Sequence, residues 1–69
     1  MPQNFDQAFS WFEKAAKNGD SDAQYVIGLM YYQADGVKQD LEKAFEWFRK
    51  SAKQGNGLAK EILINNNEL

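Results

Sequence analysis

The segment Ala8-Phe9-Ser10-Trp11-Phe12-Glu13-Lys14-Ala15-Ala16-Lys17 returns 36 residues later as Ala44-Phe45-Glu46-Trp47-Phe48-Arg49-Lys50-Ser51-Ala52-Lys53. The register holds beyond that stretch: Gly19 pairs with Gly55, Ala23 with Ala59, and Val26-Ile27 with Ile62-Leu63. Self-similarity at a fixed period of this length is the mark of a helical-repeat architecture. Within each copy the apolar residues step by three or four, as in Leu41, Ala44, Phe45, Phe48 and Ala52, or Ala23, Val26, Ile27, Met30 and Ala34. That is the period of a helix with one buried face, and neither run alternates as a strand would.

Punctuation between the runs supports four helices. Asn4 and Asp40 stand as N-caps ahead of the aromatic helices, and Ser21 with Gln24 forms a capping-box pattern. Gly19 and Gly55 supply the left-handed turn that sends each following helix back antiparallel. The expected map is helix over 5–18, 22–34, 41–54 and 58–65, a loop through Asp35-Gly36-Val37-Lys38-Gln39, and a fraying tail over 65–69.

These residues resemble the Sel-one-like repeat, a relative of the tetratricopeptide repeat. The pattern runs through Ala23, Ile27-Gly28, Tyr31, Gly36-Val37, Asp40, Lys43-Ala44, Trp47, Lys50, Ala52, Gly55 and Ala59, and recurs in part at Ala8, Trp11, Lys14-Ala15-Ala16 and Gly19. Two positions depart from it: Ala34 stands where the family has a glycine, and Lys38 where proline is common. The resemblance implies an all-α fold, an α/α superhelix (right-handed solenoid) of about four antiparallel helices. Its members act mainly as adaptors in protein complexes, often in bacterial signalling or envelope processes. The chain then divides into the second half of one repeat (4–19), a complete repeat (20–55), the first half of another (56–65) and a tail (66–69).

In such a stack, small residues at Ala8, Ala16, Ala23, Gly28, Ala44, Ala52 and Ala59 let helices approach closely, while Trp11, Phe12, Trp47 and Phe48 serve as packing. Solenoids need about three repeats for stability, and this chain holds about two, so an uncapped face is expected.

Composition narrows the function. Hydrophobic residues form 43% of the 69-residue chain and aromatics 14%, enough for one thin core. Eight basic and ten acidic residues give a net charge of −2 with no basic patch, which argues against a nucleic-acid partner. Neither cysteine nor histidine is present, so disulfides, thiolate or imidazole metal ligands and the familiar nucleophile–base pairs are excluded. The residues following Ser10, Ser21 and Ser51 at three positions are Glu13, Gln24 and Gln54, so the serine–lysine signature of penicillin-interacting enzymes is missing. Glu42, Glu46 and Arg49 share a helical spacing that a solvated face produces as readily as a carboxylate site. Asp35-Gly36 with Asp40 lacks the oxygen ligands of a calcium loop, and neither metal nor cofactor is expected. The first residues carry no basic segment or apolar run, so no signal peptide or membrane insertion is expected and the default location is cytoplasmic, or periplasmic or secreted for a piece of a longer protein.

The expectation is a non-enzymatic module that binds another protein or peptide. Tyr25, Leu29 and Tyr32 form a second apolar stripe on the helix of Ala23, Ile27 and Met30. That stripe either packs on a neighbouring repeat or lines a groove that grips a partner, where tyrosines offer area and a hydroxyl. By analogy with related repeats, whose first helices line the concave surface, Gln33, Lys60 and Ile64 extend the groove. Self-assembly into a homo-oligomer that completes the thin core is the alternative, and a carboxylate-dependent enzyme a third reading.

Overall fold

The computed structural model describes residues 5–34 and 38–68, and the side chains from Gln7 onward. Four helices account for most of it: α1 (Phe5–Lys17), α2 (Ser21–Gln33), α3 (Leu41–Lys53) and α4 (Gly57–Asn65). The same turn is built twice. Gly19 and Gly55 both adopt φ 96°, which a side chain would strain. The N–H of Gly19 donates to Ala16 and that of Gly55 to Ala52, at 3.0 and 2.9 Å. Asp20 and Asn56, next in each turn, then cap α2 and α4 by accepting backbone N–H groups with their side chains. Asp40 caps α3 through Lys43 N–H.

Each helix packs chiefly on its neighbours in sequence, α1 on α2, α2 on α3 and α3 on α4, giving a body of 36 × 23 × 18 Å. The core is in two parts. Ala16, Ala23, Ile27 and Met30 form one, with Trp47 packed against it. Ala44, Phe48, Ala59 and Leu63 form the other. Phe48 is fully buried, and a Cβ added to Gly28 would lie 2.6 Å from its ring. The missing side chain of Gly28 is therefore the space that seats Phe48. Two buried polar side chains are satisfied across helices. Gln24 donates to the Ala16 carbonyl at 3.0 Å and accepts from Gln54 at 2.9 Å. Ser51 donates to the Ser21 carbonyl at 2.7 Å.

Three sequence expectations need adjustment. Asp20, not Ser21, caps α2, because its carboxylate reaches the N–H groups of Asp22 and Ala23 while Gln24 is drawn into the α1 contact. The tail over 66–68 is folded back: Glu68 N–H donates to Leu63 and its carboxylate meets Arg49 at 2.8 Å. Trp11 is 73% exposed and Phe12 is also exposed, since among the described residues no helix lies where α2 lies for Trp47 and Phe48. Asn4 and most of the expected 35–39 loop lie outside the described residues, although Gln39 donates to the Tyr32 carbonyl at 2.9 Å.

Candidate partner-binding face

The starts of α2 and α4 are tied by Asn56 donating to Asp22 at 3.4 Å, and their ends by the Tyr32 hydroxyl donating to Asn66 at 3.4 Å. Contacts at matching ends mean that these two first helices run parallel, side by side. Tyr25, Leu29 and Tyr32 lie along this junction, half-buried against the Phe48 cluster. Tyr25 stands 5.9 Å from the Phe48 ring at 46°, and Tyr32 stands 6.1 Å from both Phe45 and Phe48. The stripe therefore packs on α3 and α4 and leaves only its outer edges accessible. Its energetic weight is structural, because aromatic contacts of this geometry contribute about 0.5–1.5 kcal/mol each beyond burial.

Gln33, Lys60 and Ile64 are exposed, Ile64 by 51%. Gln33 continues the tyrosine stripe at the end of α2. Lys60 and Ile64 sit at the positions that Gln24 and Gly28 hold one repeat earlier, on the side of the first helix that receives the following helix. The six predicted residues thus divide between the α2–α4 junction and the end of the stack.

At that end, Lys60 lines a groove of about 380 Å³ with Arg49, Ala52, Lys53 and Leu63. Sequence reasoning took Lys60 from this set and missed the other four. The signal was in the repeat comparison, where Arg49 and Lys60 stand in place of Glu13 and Gln24 beside Lys53, the counterpart of Lys17. Glu42 and Glu46 are exposed on α3, and Arg49 turns from them to Glu68. Among the described residues no group of three acidic side chains converges on a metal position, and no helix is long and apolar enough to cross a membrane.

Residues 1–20 and 21–56 match the sequence profile of the Sel1 repeat. The crystal structure of a Sel1 repeat protein from Oxalobacter formigenes is similar to this chain, with a TM-score of 0.88 and 42% sequence identity. The likeness covers 94% of this chain and 19% of that one, so the chain spans about a fifth of that protein's length.

Proposed function

Because this chain belongs to the Sel1 repeat family, whose members generally mediate protein–protein interaction, we propose that it is a non-enzymatic adaptor module. A partner's helix or extended segment docks on its first-helix face. Tyr25, Leu29 and Tyr32 contribute their outer edges and Gln33 a polar contact, with Lys60 and Ile64 as the α4 border of the site. The observation that supports this reading is the parallel placing of α2 and α4, whose starts and ends meet through Asn56–Asp22 and Tyr32–Asn66 while Tyr25, Leu29 and Tyr32 stay partly exposed.

The test separates binding from folding. Gln33→Ala and Ile64→Ala remove only exposed groups and leave Lys60 in place, so the combined variant is expected to keep its helicity and melting temperature. Proteins retained by the immobilised wild type and lost by this variant support the reading; equal retention by both counts against it. Tyr32→Ala is a poorer probe, since it also removes contacts with Phe45 and Phe48. A second reading, association of copies, is supported by the exposed Trp11 and Phe12, an unpartnered aromatic surface on α1.

A further inference from the structure

The groove between α3 and α4 is related by the repeat to a site that is filled. One repeat earlier, Trp47 packs against the cluster containing Ala16 and Ile27, while Phe48 seats on Gly28. The corresponding positions are Ala52, half-buried, and Leu63, which this chain already covers fully, and their surroundings have changed. Ile64 stands at the Gly28 position, where even a Cβ would come within 2.6 Å of the aromatic ring. Glu61 and Glu68 stand where Tyr25 and Tyr32 flank Phe48. α4 also ends at Asn65, short of the length of α2, with the left-handed Asn67 beyond it. A helix carrying the Trp-Phe pair of α3 finds half of its seat intact and half closed.

Charge shows what suits the open half. The rim is Arg49, Lys53 and Lys60, where the filled site has Glu13, Lys17 and Gln24. Three cations gather here on a chain whose net charge is −2. Glu68 neutralises Arg49 at 2.8 Å, while neither Lys53 nor Lys60 has a carboxylate partner among the described residues. The groove volume of about 380 Å³ falls in the lower part of the roughly 300–1,000 Å³ range of small-ligand sites.

We propose that this groove binds an acidic segment of a partner protein that packs one aromatic side chain over the half-buried Ala52, beside the fully covered Leu63, and sets its carboxylates on Lys53 and Lys60. The apolar floor supplies affinity, and the lysines select against neutral or basic segments. The Arg49–Glu68 pair is an internal example of a carboxylate held at the same rim. This surface shares only Lys60 with the first-helix face and is tested apart from it.

The experiment titrates the full chain with a blocked Glu-Asp-Trp-Asp-Glu peptide and follows backbone amide shifts. Two controls are the same peptide with alanine for tryptophan, and Lys-Arg-Trp-Arg-Lys. Saturable shifts at Ala52, Lys53, Lys60 and Leu63 are expected, with affinity falling about tenfold when either control replaces the probe. Lys53→Glu is expected to weaken binding similarly while leaving helicity unchanged, and Lys53→Arg to retain it; about 0.5 M salt weakens it further. Equal binding of the basic peptide, no saturable shift, undiminished binding by a folded Lys53→Glu chain, or shifts centred on Tyr25 and Tyr32 would each overturn the proposal. So would concentration-dependent shifts at the groove that vanish with Trp11→Ala, which would make a second copy the occupant.

Discussion

Ala34 closes α2 at φ 60° and ψ 36°, with its N–H donating to the Met30 carbonyl. A left-handed alanine crowds its Cβ against the following carbonyl, at roughly 1–2 kcal/mol, and glycine removes that crowding at a smaller entropic cost. Ala34→Gly is therefore expected to stabilise the chain by about 1 kcal/mol, a rise of about 4–8 °C in melting temperature. An unchanged or lower melting temperature would show that the strain is relieved elsewhere. Gly28 is the opposite case. Alanine ordinarily favours a helix interior over glycine by about 0.5–1 kcal/mol. Here the added Cβ would meet the Phe48 ring at 2.6 Å, and Phe48 is fully buried with no room to withdraw. Overpacking costs typically about 1–3 kcal/mol, so it outweighs propensity. Gly28→Ala is expected to lower the denaturation midpoint with its slope retained; a raised midpoint would refute the close seat.

Helix α1 packs chiefly on α2, and the buried Gln24 is a large part of that joint because it holds the Ala16 carbonyl and Gln54 at once. Gln24→Ala removes one of the two donors to the Ala16 carbonyl, the Gly19 N–H remaining, and also the acceptor for Gln54, at about 0.5–1.5 kcal/mol for each bond lost. The loss belongs to α1 first, so its amides are expected to lose more hydrogen-exchange protection than those of α3; a uniform loss would mean that the four helices open together. Gln24 also marks where sequence reading ran out. As a local pattern, Ser21 with Gln24 is a sound capping box, but Asp20 competes for the cap and a carbonyl on another helix takes the amide. The helices themselves were legible because each has a periodic apolar face, and α1 and α3 end in turns with Gly19 and Gly55. Trp11 and Trp47 sit in nearly the same local sequence, yet one is exposed and the other packed. Their difference lies in which helix is adjacent, and no local pattern carries that. The same holds for the candidate site, where analogy with related repeats grouped Lys60 and Ile64 with the tyrosines, and only packing separates the end of the stack from the α2–α4 junction.

Across the whole molecule the two ends of the stack are unlike, and this decides how copies can meet. One end presents Trp11 and Phe12, the counterparts of the residues by which α3 is held. Open-ended stacking would require the other end to receive that pair as α2 receives Trp47 and Phe48, but Ile64 fills the place of Gly28. Head-to-tail growth is expected to be opposed there by Ile64 together with Glu61, Glu68 and the shorter α4, while a symmetric pairing of two α1 faces would close on itself at a dimer. Sedimentation equilibrium over a wide concentration range is expected to give no species larger than two copies, and Trp11→Ala to remove any dimer. Transplanting the α2 residues onto α4, through Ile64→Gly, Asn65→Leu, Asn66→Met, Asn67→Tyr and Glu68→Tyr, restores the missing receptor surface. That chain is expected to grow in mass with concentration, and Phe12→Ala in the same background to stop the growth. A folded transplant that keeps the wild-type mass would show that Ile64 and its neighbours are not the barrier. Wild-type chains that climb past the dimer would show that no barrier exists.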